Sequence, residues 1–553
     1  MDQCFLLPIA LIIWMNFFVT YGATAETPEW PPTYIVKGVI YIPYAEINEP
    51  FASWYDASVG KSRIDYYGGM VKTYQLSTEG NYGTSLKIAP MTTETELNAV
   101  RCFLVNGTKQ QKIQPQSVLP ALDGFEMIGQ EVVNGLMTEK WRKIEKFGDE
   151  KLNKYTMYLR WKKSPKAPKQ QIPIPVRYEM KGFNSLLGSH YDHYYLNYEE
   201  FTWDSPPADV FVVGNQTVCG SFPGPGEDHI VSFNPMSEFI EGVTHHVDSA
   251  WEEFQQTHKK VYHPDEHHTR KHTFVQNLRL IASHNRANLG FTLAVNHLAD
   301  RTPAELKVLR GRRHTSGYNG GKPFPYDTAA MAASLPEQFD WRIYGAVTPV
   351  KDQSVCGSCW SFGTTGHVEG AYFVKTGRLV RLSQQALVDC SWGEGNNGCD
   401  GGEDFRAYQW IMKHGGLPLE GEYGGYLGQD GYCHINQTQM VAPITGYVNV
   451  TSNDPDALKI ALLKHGPISV AIDASQRTFS FYSNGVYNSK NCKNNPDGLD
   501  HAVLLVGYGK IGDRSYWLIK NSWSNYWGND GYILMDPVDN NCGVMTAPTY
   551  VTM

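Results

Sequence analysis

The chain is 553 residues long, 42% hydrophobic and 13% aromatic, which suits roughly three to four folding units and excludes a mainly disordered protein. Lys and Arg number 48 against 56 Asp and Glu, a net charge of -8, and no basic block is present to track a phosphate backbone, so nucleic-acid binding is excluded. Residues 1–25 read as a secretory signal: Phe5 to Val19 is apolar apart from Pro8 and Asn16, and Ala23-Thr-Ala25 fits the small-x-small cleavage rule. Because no Lys or Arg precedes the run, a signal anchor is the alternative. No later stretch reaches the ~20 apolar residues of a membrane span. The mature chain is therefore expected in the secretory pathway, in a lysosome or granule or outside the cell. Sequons at Asn106, Asn215, Asn436 and Asn449 suit that compartment. Of the 10 cysteines, Cys4 lies in the signal, and the odd remainder asks for one free thiol.

From Glu26 to about His229 the sequence is Tyr-rich and alternates apolar with polar residues. Tyr34 to Tyr44, Lys140 to Lys146, Lys154 to Trp161, Val176 to Met180 and His193 to Phe201 read as antiparallel strands, and Thr92 to Phe103 as a short helix. The expected unit is a twisted sheet, a half-barrel able to cradle apolar ligands, or simply a structural or exclusion domain. Cys102 and Cys219 are its only cysteines and are expected to pair. The turn-rich Ser221-Phe-Pro-Gly-Pro-Gly226 opens a linker over 230–246.

One long helical pattern runs from about Val247 to Leu289. Glu266, Arg270, Phe274, Asn277, Ile281 and Asn285 recur at three- and four-residue steps, which keeps them on one helix face. Thr302, with Pro303 after it and Glu305 three positions on, reads as the N-cap of a second helix. Residues 318–334 mix Gly, Pro and Ala and are expected to be extended and open to proteolysis. Residues 335–553 then suffice for one two-lobed enzyme domain.

Cys359 opens a helical run that ends at Gly377, and a helix N-terminus favours the thiolate, the attacking form. Cys356-x-x-Cys359 could also be a redox dithiol or half a zinc site, but no second ligand pair at zinc spacing follows and no thioredoxin-like unit precedes it. No metal or other cofactor is called for. His501 begins a strand, and Asn521 follows another within Asn521-Ser-Trp-Ser. His501 lies within, and Asn521 just beyond, the window of about 130–150 residues that separates a Cys-Gly-Ser-Cys-Trp nucleophile from its His and Asn partners.

Residues 250–553 resemble a papain-family cysteine protease of the cathepsin L-like group with its inhibitory propeptide. The Glu266 to Asn285 series matches the propeptide helix signature at all six positions. Ala294-x-Asn296-x-Leu298-x-Asp300 is similar to a second propeptide motif with two substitutions, and Leu335-Pro-Glu-Gln-Phe-Asp-Trp-Arg342 to a mature N-terminus. The added N-terminal region is similar to that of two-chain members of the family. The resemblance implies an α+β fold: a papain-like catalytic domain (335–553) with a helical lobe and a β-barrel-like lobe, preceded by a helical propeptide (247–334) and a mainly antiparallel β domain (26–229). It implies Cys359 as nucleophile, His501 as its proton partner, Asn521 orienting the ring, Gln353 donating to the oxyanion and Trp523 shielding the Asn521–His501 bond. It also implies the disulfides Cys356–Cys399, Cys390–Cys433 and Cys492–Cys542, which leave Cys359 free.

The same resemblance implies that Gly401 and Gly402 bind substrate as an added strand, and that Glu403, Asp404, Ala471, Leu499 and Ala547 wall the pocket for the P2 side chain. Two carboxylates where the family has apolar walls suggest tolerance of P2 Arg or Lys; otherwise both point to solvent. The partners expected are protein or peptide substrates and the chain's own propeptide, with the N-terminal domain either retained after cleavage or released. Endopeptidase activity is expected. The alternatives are an aminodipeptidase with residues 26–229 as exclusion domain, and a non-enzymatic carrier or pseudoprotease. More than half of the 18 histidines fall within residues 245–314, His258, His267, His268, His272, His284 and His297 among them, which suggests release of the propeptide on acidification.

Overall fold

The computed structural model describes residues 27–553 apart from 92–95, 97, 149–150, 166–168, 186–187, 215–217 and 222–233. The proposed signal, Asn215 and most of the turn-rich opening of the linker lie outside the described residues. Among the described residues no helix is long and apolar enough to cross a membrane.

The N-terminal part is one twelve-stranded sheet. Its middle strands Thr33–Ile42 and Ser189–Thr202 pair antiparallel, and both alternate in burial. Tyr34, Val36, Ile40 and Ile42 therefore share one face with Tyr194, Leu196 and Tyr198. That face closes over Val118, Leu119, Leu122 and Phe125 and over a short helix, Met236–Ile240, whose Met236 and Phe239 join the same core. The segment 230–246, expected as a linker, is thus partly built into the sheet's core, because two large apolar side chains anchor it there. The helix expected over 92–103 is also corrected: Ala99–Asn106 is a strand, paired with Thr84–Met91 and with Cys219–Ser221. The Cys102–Cys219 disulfide staples that last pairing.

The pattern expected as one helix over 247–289 forms two, His245–Thr257 and Pro264–Ala287. Lys259 takes a left-handed φ of 49° between them, and Pro264 can only begin the second. Phe274, Asn277 and Ile281 are buried, and Asn277 and Asn285 hold the backbone at Ala299 and Leu293. Arg270 reaches Glu305 at 2.8 Å, beside the reciprocal Thr302–Glu305 cap of helix Pro303–Val308.

The catalytic part, residues 335–553, is α+β. Its helical lobe gathers Cys359–Thr376, Gln384–Cys390 and Asp404–His414. The other lobe is a sheet centred on His501–Ile511, Arg514–Lys520 and Ile468–Ile472. Strands from residues 247–334 lie at both ends of this sheet: Phe291–Leu293 pairs with Tyr482–Tyr487, and Lys322–Pro323 with Gly446–Asn449. Residues 318–334, expected to be open, thus include a paired strand and a short helix, Thr328–Ala332, capped by Asp327.

Helix Pro264–Ala287 lies between the two bodies. On the N-terminal side Arg279 bonds Asp192 and Glu238, while Arg286 and Ser283 bond Glu49. By contrast, the sheet reaches the catalytic part through Arg477, which donates to the Tyr44 carbonyl and lies 3.8 Å from Glu46.

Candidate active site

Cys359 is the first residue of a buried helix that ends where Gly377 turns left-handed at φ 72°. The helix lies so close to the sheet that a Cβ on Gly366 would come within 2.8 Å of Leu504, and one on Gly370 would collide with Pro467. This close packing sets Cys359 against Ala502, the neighbour of His501. His501 begins its strand opposite Ile472, and Leu504 pairs with Lys520, so the chain emerges at Asn521 beside His501.

The His501 Nε2–H donates to Asn521 Oδ1 at 2.8 Å, while Nδ1 on the other edge of the ring has no hydrogen bond among the described residues. The Trp523 ring lies 4.8 Å from the imidazole and is buried, as is Phe479, which packs against both rings. Gln353 is buried with its amide fixed at both ends. Ser522 Oγ donates to its Oε1, and its Nε2 donates to the carbonyls of Cys356 and Leu309, both at 2.8 Å. Cys356–Cys399, Cys390–Cys433 and Cys492–Cys542 are disulfides, and Cys359 is the free cysteine among the described residues.

The cleft is filled by the chain itself. Leu309 gives its carbonyl to Gln353, and Gly311 passes so near Gly357 that a Cβ there would collide with the Gly357 carbonyl. Gly402 exchanges backbone hydrogen bonds with Gly311 and Arg313, at 2.9 and 3.0 Å, around a parallel bridge to Arg312. The Arg312 N–H donates to the Asp500 carbonyl, and Arg313 donates to the Asp400 carbonyl. Covered in this way, the Cys359 thiol is pushed up to about 11 by burial, against the lowering effect of nearby backbone groups of Ala502, Gly311 and Trp360. Burial likewise lowers His501 to about 4, although its bond to Asn521 opposes the shift. Both side chains are therefore neutral at pH 7 in this state.

The residues of the expected P2 pocket divide. Gly401 and Gly402 lie against the occupying strand, and a Cβ on Gly401 would sit 2.5 Å from the Gly311 carbonyl. Glu403 is buried, 4% exposed, and its carboxylate accepts from Arg406 and from Thr315. Asp404 accepts from Thr549 Oγ at 2.9 Å; burial raises its pKa and the guanidinium of Arg312 opposes this. Neither carboxylate points simply to solvent. Arg312 itself donates to the Leu499 carbonyl at 2.8 Å. Ala471 is buried and pairs with Ala502, while Ala547 is half-buried near Thr549. Of the glycosylation candidates, Asn106 and Asn436 are exposed, whereas the Asn449 amide is bonded to Asn319. A glycan at Asn449 would have to displace that partner.

Sequence reasoning did not find Leu309 to Arg313 as the segment that fills the cleft, nor Ser522 as the residue that fixes Gln353. The available signal was a lone glycine among arginines in Arg310-Gly-Arg-Arg313.

Residues 335–552 match the family model for papain family cysteine proteases, and residues 251–306 that for the cathepsin propeptide inhibitor domain. Digestive cysteine proteinase 1 of Homarus americanus is 43% identical over 55% of this chain and 94% of its own length. Human cathepsin L2 is 40% identical over 55% of this chain and 92% of its own. The structure of a digestive procathepsin L2 proteinase from Tenebrio molitor larval midgut aligns with a TM-score of 0.51 at 35% identity, covering 56% of this chain and all of that one.

Proposed function

Because the chain belongs to the papain family of cysteine proteases, we propose that it is an endopeptidase zymogen in which Cys359 and His501 are the reacting pair. After the propeptide leaves, water returns to the cleft and the desolvation that keeps both groups neutral is relieved. The Cys359 proton then passes to His501 Nδ1, the nitrogen left without a hydrogen bond. The thiolate attacks the scissile carbonyl, and the imidazolium protonates the leaving amine. Asn521 holds the ring through the 2.8 Å bond to Nε2, under the cover of Trp523. The Gln353 amide and the Cys359 N–H stabilise the oxyanion, and water hydrolyses the thioester.

The observation that carries this reading is the Leu309 carbonyl on Gln353 Nε2, with Gly311 lying over the sulfur: a peptide carbonyl already occupies the donor that an oxyanion would use. Endopeptidase rather than aminodipeptidase activity is supported by the length of the occupying chain. It runs on from Leu309 past Gly402 to the pairing at Pro323, so the cleft takes a through-going strand. Among the described residues the hydrogen bonds from the N-terminal sheet to the catalytic part fall at Arg477 and not at the cleft, which argues against an exclusion role.

Acid release is part of the proposal, and the groups that support it are buried. His284, bonded to the Phe291 carbonyl, and His297, near Lys260, His258, Arg301 and the carboxylate of Asp300, are both lowered to about 4 by burial. The secretory route follows from the same reading. At pH 5 the wild-type zymogen should lose its propeptide and cleave an internally quenched peptide, whereas Cys359→Ala and His501→Ala should do neither. Hydrolysis retained by Cys359→Ala would refute the assignment.

A further inference from the structure

The concave side of the N-terminal sheet holds a cavity of about 1040 Å³ that the protease reading does not use. Its walls are aromatic, with Trp30, Tyr55, Tyr155, Tyr178, Tyr194 and Phe239 among the lining residues. Tyr155 and Tyr178 stack at 6.4 Å, and Tyr55 stacks on Tyr34 at 4.9 Å, so the rings present faces rather than a random apolar surface. Tyr178, 3% exposed, lines the cavity, and its hydroxyl is open to solvent rather than sealed without a partner. The hydroxyls of Tyr191 and Tyr194, by contrast, are bonded to Asn153 and to the Phe239 carbonyl. An aromatic enclosure of this size has room for an organic ligand.

Charge narrows what that is. Four carboxylates line the cavity, Glu145, Asp192, Glu238 and Glu241, against two cations, Lys143 and Arg279. Lys143 is consumed by Glu145 at 2.8 Å, and Arg279 by Asp192 at 2.9 Å and Glu238 at 2.7 Å. Glu241, an exposed lining residue, accepts from Gln116 and has no cation partner among the described residues. An aromatic enclosure with surplus negative charge repels a fatty-acid carboxylate and leaves a neutral apolar ligand with nothing to balance the carboxylates. It matches a cation, which the ring faces attract through their quadrupoles.

We infer that this cavity binds an amphiphilic organic cation, an apolar body carrying one quaternary or protonated amine, with the charge between the tyrosine rings and Glu241. The test uses the full-length zymogen carrying Cys359→Ser, to stop self-cleavage, and titration calorimetry with three probes that share one alkyl body. These are decyltrimethylammonium, decyl sulfate and decanol, each below the concentration at which it self-associates. The expected result is one decyltrimethylammonium per chain, bound at least about tenfold more tightly than either other probe. Glu241→Gln, which keeps an acceptor for Gln116, should weaken the cation severalfold and leave decanol unchanged. Tyr178→Leu should remove the preference for the cation. Equal affinity for all three probes would reduce the cavity to an apolar pocket and overturn the inference. So would tighter binding of decyl sulfate, no binding of any probe, or a Glu241→Gln protein that binds the cation as the parent does.

Discussion

Replacing His284 and His297 together by Gln removes two titrating groups from the propeptide while keeping an amide donor for the Phe291 carbonyl. Each ring is held at about 4 in the closed state, against about 6.5 when the segment is open. Between those values the open form binds more protons, so closure loses stability as pH falls from about 6.5 to about 4 and is unaffected above. Each histidine accounts for a loss of about 2 kcal/mol between pH 7 and pH 5, and the pair for about 4, a large share of what holds a short segment in place. The assay is hydrogen exchange over residues 278–299, corrected for intrinsic rates, in a Cys359→Ser background so that nothing is cleaved. The parent should show its opening free energy falling by several kcal/mol across that pH range, and the double variant should keep only the smaller fall due to His258 and His272, which burial also lowers. Parallel pH profiles for parent and variant would refute the reasoning.

Four further outcomes follow from the same contacts. Asp192→Ala strands the buried Arg279 with one remaining carboxylate and should destabilise the zymogen by about 3–5 kcal/mol, seen as a lower Tm and faster processing. Gly311→Ala places a methyl against the Gly357 carbonyl, so self-processing at pH 5 should speed up roughly tenfold or more, for a strain of about 1–3 kcal/mol. Asp404→Asn should lower kcat/KM for P2 Arg substrates several-fold and leave P2 Leu unchanged, because Glu403 is already taken by Arg406 while Asp404 faces the guanidinium of Arg312. Equal loss on both substrates would remove Asp404 from recognition. After processing, the N-terminal part should separate from the catalytic part on size exclusion, since among the described residues its polar ties run mainly to helix Pro264–Ala287 and reach the enzyme at Arg477.

The reacting residues were legible because their chemistry is written locally: a cysteine at the head of a helical run, a histidine at a strand start and an asparagine in a Trp-rich turn. The central strands of the N-terminal sheet were legible for a similar reason, since Thr33–Ile42 and Ser189–Thr202 bury every second residue. Ile47–Asp56 to Thr84–Met91 were missed because turns and charged residues interrupt their alternation, and only pairing with neighbours makes them strands. Ala99–Asn106 was misread as helix for the same reason: it is a strand through its pairing with Thr84–Met91 and with Cys219–Ser221. The break before Pro264 was visible as a proline, but the helical periodicity on both sides concealed it. The hold of Glu49 and Asp192 on Arg286 and Arg279 joins positions far apart in the chain, and no local pattern announces it. Nor does clustering of histidines single out the buried ones: His267, His268 and His272 stand out in the sequence, His284 and His297 in the packing.

The central claim is that one thiol, uncovered by loss of the propeptide, carries the reaction. Purified zymogen shifted to pH 5 with reductant and an epoxide thiol probe, followed by intact-mass and peptide analysis, tests it directly. The account predicts one label on Cys359, a new N-terminus near Leu335, and no label at pH 7.5 while Leu309 to Arg313 cover the cleft. Propeptide loss without labelling of Cys359, or labelling elsewhere with Cys359 unmodified, would contradict it.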